Sequence, residues 1–422
     1  MRAKHCSNFV LQCLVLMGEQ AKRKNFWGKT KLFLKSKVPF WIAIVFLLAA
    51  AAFLLFSIKK TYQQIQSDYK IKNLQIHKIP ERHEHKEKFP KPKEVFIPRN
   101  FSMSTLETRG CVADGILSGY GSKTSEAINL INRSACLYLH RALETWGSTP
   151  DFDGAAENIV KFKKPGMVFG MFLAEAVRDA GTYTEPGTGK KFYFDKMCQP
   201  GTDEKWGWHT CLADFNSKEY RRYIESITHR AMDLGIQSFT FGQIYLQDGE
   251  PFGASKVPGV IKNMRDYAKS KHLQIVIGAQ TNAITDSRYL GMFDYIEGGA
   301  GIDQQGKIEN GPCWSRKESC WALLWNKEFS AKAKNVLLDL DWSGIQDDDM
   351  STFARMAQAE RGTELKYLYN FFTSRNMGFL MPMLAPLYPD NGGCYGPSKH
   401  FYSPDDKYKC KDEDMINDIF SG

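Results

Sequence analysis

No CxxC pair and no HxxxH pair occurs in these 422 residues, which excludes the common structural zinc modules. GxSxG is missing too, and with it the nucleophile elbow of many serine hydrolases. GTGK at 187–190 lacks the rest of a phosphate-binding loop, so no nucleotide-triphosphate site is implied. No internal sequence repeat is visible, which argues against solenoids and propellers. Only one apolar run reaches membrane-spanning length, so a channel or multispan transporter is excluded.

That run, 38–58, reads VPFWIAIVFLLAAAAFLLFSI and carries no charge. At about 1.5 Å rise per residue it crosses the roughly 30 Å hydrocarbon layer as one helix. It is longer than the apolar part of a cleaved signal peptide, and no clear small-residue cleavage site follows it. The net charge is +9; residues 1–37 contribute +8 and residues 59–100 contribute +6, leaving 101–422 at −5. The basic excess therefore flanks the apolar run and marks a membrane surface rather than nucleic acid. Seven basic residues stand within 22–37, just before the run: Lys22, Arg23, Lys24, Lys29, Lys31, Lys35 and Lys37. Lys59, Lys60, Lys70 and Lys72 follow it, and the imbalance predicts a cytoplasmic N-terminus with the C-terminal part exported. Export would be into a periplasm, a lumen or the extracellular space.

Cysteine usage agrees with export. Cys6 and Cys13 precede the run, and eight follow: Cys111, Cys136, Cys198, Cys211, Cys313, Cys320, Cys394 and Cys410. An even number in an exported domain predicts disulfides, and sequence proximity suggests 111–136, 198–211, 313–320 and 394–410. Sequons stand at Asn100 and Asn132.

Four segments follow: a basic tail (1–37), a transmembrane helix (38–58), an extended stem (59–100) and an exported domain (101–422). The stem is rich in Lys, Glu and Pro, and its His77, His83 and His85 read as a solvated linker. In the last segment short apolar runs alternate with helical patterns. Strands are expected at 167–174, 238–245, 274–279, 293–296, 336–340 and 378–383, with a weaker one at 111–117. Helices are expected at 125–146, 217–234, 257–271, 318–333 and 350–375. Repeated βα alternation over about 320 residues predicts a (β/α)8-type barrel, with an eighth strand still to be found.

Functional groups of such a barrel gather where its strands end. Glu175 follows the first strong strand; Gln243 lies within the second, and Asp248 and Glu250 follow it. Gln280 and Asn282 follow the third, Glu297 the fourth, Asp341 and Trp342 the fifth, and Tyr388 the sixth. Carboxylates, amides and aromatic faces in one place suit carbohydrate, since amides and acids bind hydroxyls in pairs and rings cover the apolar face of a pyranose. Trp206, Trp208, Trp314 and Trp321 fall in loops nearby. Cleaving a glycosidic bond takes two carboxyl groups, one giving a proton and one attacking or activating water. Glu297 is the expected acid and Asp341 the expected partner. Glu175 is the third candidate, with apolar neighbours that would raise its pKa.

The strand-end groups Glu175, Gln243, Glu297 and Asp341 together resemble TIM-barrel glycoside hydrolases over about 165–390. The resemblance implies sugar hydrolysis without a cofactor. Two other readings stand beside it. Asp339-Leu340-Asp341 after an apolar strand resembles the DxD of glycosyltransferases, which would bring a divalent metal. A glycan-binding barrel without catalysis is the other.

Overall fold

The structure is a computed structural model. It describes residues 100–422, apart from 120–122, 180, 205–206, 281–285, 304–305, 309–332, 345, 389 and 391. The tail, the apolar run 38–58, nearly all of the stem, Asn282, Cys313, Cys320, Trp206, Trp314 and Trp321 lie outside the described residues. Among the described residues no helix is long and apolar enough to cross a membrane.

Parallel strands run through the centre. They are β1 Gly110–Ala113, β2 Tyr138–Glu144, β3 Val168–Leu173, β4 Ser238–Phe241, β5 Val276–Ala279, β6 Tyr295–Gly299 and β7 Val336–Asp339. The last, β8, comes in two stretches, Gly378–Phe379 and Met381–Pro386. Each strand pairs in parallel with the next. The first stretch of β8 pairs with β7, and the second pairs with β1. One strand, broken only at Leu380, thus passes from β7 to β1 and brings the sheet back to its start. The result is an α/β barrel.

Helices precede or follow the strands. Lys218–Asp233 buries Tyr220, Tyr223, Ile224, Ile227, Ala231 and Met232, spaced three or four apart on one face. The Ser217 hydroxyl accepts from the amides of Glu219 and Tyr220 and caps it, as its position before the helical pattern implies. Val257–Ser270 carries its proline in the first turn, where the missing N–H costs nothing.

Several boundaries differ from expectation. The segment 125–146 is a helix, Thr124–Arg133, followed by β2. This is the strand missing from the sequence reading. Its sequence, YLHRALE, is buried throughout yet half polar, so it lacks the apolar run that marks the other strands. Glu297 lies inside β6 rather than after it. The segment 238–245 stops being a strand at Phe241 and turns, through Gln243 at φ +36°, into the short helix Ile244–Asp248. The segment 350–375 is two helices, Asp349–Arg355 and Gln358–Thr373.

Among the described residues three disulfides close local loops: Cys111–Cys136, Cys198–Cys211 and Cys394–Cys410. The first ties β1 to the residues just before β2. The second lies beside an antiparallel pair, Ala176–Arg178 with Thr210–Leu212, that follows β3.

Candidate active site at the strand ends

β2 supplies the groups that organise the site. Between Leu139 and Leu143 its register against β3 slips, because four steps along β2 match two along β3. Arg141 sits in this bulge with φ +57°. A bulge re-aims side chains that strict alternation would send to opposite faces. Here His140 and Arg141, neighbours in sequence, both reach carboxyl groups of the same cluster.

The Arg141 Nε donates to Glu144 Oε1 at 2.7 Å and lies 3.2 Å from Asp114 Oδ1. Its guanidinium covers the Phe172 ring at 4.1 Å. Burial opposes the charge on Arg141, but Asp114, Glu144 and Glu297 more than offset it, so the group stays cationic.

Glu297 accepts from Gln280 Nε2 at 3.2 Å, and its other oxygen lies 3.6 Å from His140 Nε2. Burial alone would raise its pKa. His140, Arg141 and the Gln280 hydrogen bond outweigh that and hold the carboxyl below its usual range. Glu175 accepts from Gln243 Nε2 at 3.0 Å, and burial pushes it up to about 6. Gly242 makes room for it: a Cβ there would fall 2.4 Å from Glu175 Oε2 and 2.7 Å from Phe172. Burial and the charge of Glu297 place Asp339 well above its usual range. Asp341 is raised well above it by burial and by Asp339.

The three expected carboxyl groups therefore belong to one electrostatic cluster around Arg141. Glu297, expected as the acid, is the one stabilised as a carboxylate. Glu175, Asp339 and Asp341 are all raised, Glu175 to about 6. Asp339 and Asp341 are close enough for the charge of Asp339 to raise Asp341. Among the described residues the set whose ligand atoms approach each other here is His140, Glu297 and Asp339.

Of the expected binding residues, Gln280 and Gln243 are in the cluster as partners of Glu297 and Glu175. Asp248 is not an open contact: it is fully buried and accepts from the Tyr289 hydroxyl at 3.0 Å. Glu250 and Trp342 are half-buried in the loops after β4 and β7, and Tyr388 is exposed after β8. His140, Arg141, Glu144 and Asp114 were missed. The last of these lies inside the weak strand expected at 111–117 and follows the shorter β1 that forms, so the misplaced strand end hid it, whereas the first three lie on the strand that read as helix.

No protein-family model matches the chain, and no curated protein matches it in sequence. Solved structures do resemble it. One is trehalose-6-phosphate hydrolase from Bacillus licheniformis, at 12% identity over 65% of this chain and 64% of that one, with a TM-score of 0.41. A second is the α-galactosidase of Thermus thermophilus in complex with stachyose, at 14% identity over 68% and 62%, with a TM-score of 0.40. A third is a glycoside hydrolase family 5 enzyme from Prevotella bryantii, at 8% identity over 77% and 99%, with a TM-score of 0.41. The structures it resembles are glycoside hydrolases. The chain spans under two thirds of the length of the first.

Proposed function

We propose that this chain is a glycoside hydrolase-like enzyme that acts on a poly- or oligosaccharide through paired carboxyl groups. Glu175 gives the proton to the leaving oxygen, and Glu297 is the ionised partner. Asp341, half-buried at the end of β7, shapes the approach to them. One observation carries the reading: Glu175, two residues beyond β3, and Glu297, inside β6, sit in environments that push their pKa values apart. Two carboxyl groups separated in this way divide into acid and base. A raised acid near the working pH transfers its proton most efficiently.

The enzyme would be anchored by 38–58, with the basic tail in the cytoplasm and the barrel exported. The uncharged apolar run, the basic residues before it and three disulfides in the barrel support that placement. Substrate would be met at the strand ends, with Tyr388 offering an exposed ring.

The test is Glu297→Gln in the full-length protein. Activity is first located on a panel of nitrophenyl glycosides and oligosaccharides. Turnover should fall by at least about 10³-fold while saccharide binding, read by calorimetry, changes less than threefold; such a split means an interaction made chiefly in the transition state. Equal loss of binding and turnover would assign Glu297 to substrate recognition instead. Binding without turnover in the unaltered protein would favour the non-catalytic barrel.

A further inference from the structure

His140 is fully buried, and its two ring nitrogens have different surroundings. Nδ1 lies 2.9 Å from the Tyr138 hydroxyl. That hydroxyl continues to Ser238 at 3.0 Å, Ser238 to Tyr295 at 2.9 Å, and Tyr295 to Thr240 at 2.6 Å. This relay crosses the barrel interior and fixes the ring. It leaves Nε2 aimed at Glu297 Oε2, 3.6 Å away. Among the described residues neither Nε2 nor Oε2 finds a hydrogen-bond partner, although both are buried.

Two buried polar atoms without hydrogen bonds, facing each other, need an explanation. A charge-assisted hydrogen bond would draw them to about 2.7–2.9 Å. Atoms that share one tetrahedral ion at about 2.0–2.2 Å stand about 3.4 Å apart, close to what is seen. Asp339 supplies a third ligand, and the three ligand atoms lie within 4.8 Å of one another. When Nδ1–H donates to Tyr138, the Nε2 lone pair is free. An outer partner of this kind usually sets the tautomer of a metal-binding histidine. Carboxyl groups of Asp114, Glu144, Glu175 and Asp341 gather around these ligands and the Arg141 guanidinium. The other group of potential ligands among the described residues, Cys394, Cys410 and Asp412, is already committed. Its cysteines form a disulfide and its aspartate is held by Arg361 and Tyr402.

We propose that His140 Nε2, Glu297 Oε2 and the Asp339 carboxyl group bind one divalent transition-metal cation, with Zn²⁺ the best match to one imidazole and two carboxylates. An ion there withdraws Glu297 from chemistry on the sugar and so inhibits hydrolysis reversibly. The inhibitory half rests on the proposed function; the binding half does not.

The experiment uses the full-length protein in detergent, stripped with a chelator and titrated with Zn²⁺, and in parallel with Co²⁺ as a coloured probe. One Zn²⁺ should bind per chain, and Co²⁺ should give visible bands of the same stoichiometry. Glu297→Gln and Asp339→Asn should each weaken binding more than about tenfold. Tyr138→Phe, which keeps the ring, should weaken it by about tenfold through the loss of the outer hydrogen bond. This conservative variant keeps the test decisive if a ligand variant fails to fold. Absence of stoichiometric binding, or binding indifferent to all three substitutions, overturns the site. A chain that hydrolyses glycosides without binding Zn²⁺ refutes this inference and leaves the hydrolase reading standing. A chain that binds Zn²⁺ at these residues but hydrolyses no glycoside keeps the site and refutes inhibition together with that reading.

Discussion

Glu175→Gln separates the role of Glu175 in the fold from its role in the reaction. The glutamine keeps the shape and can still accept from Gln243 Nε2, so the packing around Phe172 and Gly242 should survive. What disappears is the titration. Burial lifts Glu175 from 4.5 to about 6 in the folded protein. Below about 4.5 both the folded and unfolded chains hold this proton, and the group imposes no pH-dependent cost. Between about 4.5 and 6 the unfolded chain ionises first, so it binds fewer protons than the folded one and stability falls as pH rises. Above that window the loss is complete. A shift of roughly 1.5 pKa units at about 1.4 kcal/mol each makes it about 2 kcal/mol. Denaturant unfolding at pH 4.5 and pH 7 therefore gives a difference that is about 2 kcal/mol smaller in the variant than in the parent. The same variant should lose about 10²- to 10⁴-fold in kcat/KM on oligosaccharides, whose leaving groups need a proton. Nitrophenyl glycosides should lose much less. The parent's kcat/KM should fall above pH about 6 as Glu175 ionises. Identical pH dependence of stability in the two proteins would refute the argument for a desolvated Glu175. An unchanged rate on oligosaccharides would refute its role as the acid.

Three further outcomes follow from other parts of the barrel. Arg141→Met leaves Asp114 and Glu144 buried without their cation and should destabilise the protein by about 3–5 kcal/mol in urea unfolding. Replacing Cys111 and Cys136 together by alanine opens a loop with a sequence separation of 25. On the chain-entropy account that costs about 3.5 kcal/mol, seen as a lower unfolding midpoint, and a reducing agent, which also opens Cys198–Cys211 and Cys394–Cys410, should lower the parent's midpoint further. Gly278→Ala brings a Cβ within 2.0 Å of the Tyr295 ring, which its hydroxyl partners Ser238 and Thr240 hold in place. It should cost about 1–3 kcal/mol. The matching change Gly259→Ala, at an exposed helix position with open space, should instead stabilise by about 0.5–1 kcal/mol.

The barrel was legible where burial and composition coincide. β3, β4, β5, β7 and the second stretch of β8 are buried on both faces and mostly apolar, so a run of hydrophobic residues marks each one. Ends were less legible than cores because what stops a strand is local geometry. Gln243 in the left-handed region ends the expected strand at 238–245, and no residue type in FGQIY announces it. The break of β8 at Leu380 is also invisible in sequence. It arises because one strand must serve two neighbours, β7 below the break and β1 above it.

The failure at β2 and the failure to find the whole site have one cause. A barrel interior that holds ionic groups must take them from strands, and a strand that supplies them loses the apolar signature by which strands are recognised. In YLHRALE the polar residues are buried by partners rather than exposed: His140 by Tyr138, and Arg141 by Asp114, Glu144 and the Phe172 ring. The pattern of burial is complete, while the pattern of hydrophobicity is broken. A reading by strand ends found Glu175, Glu297 and Asp341 because they lie in or just after apolar strands. It could not see the histidine and arginine that decide which of these acids keeps its proton. Here, therefore, the strand that was hardest to recognise is the one that sets the chemistry. A buried polar heptapeptide missing from an otherwise complete count of barrel strands is itself a pointer to the site.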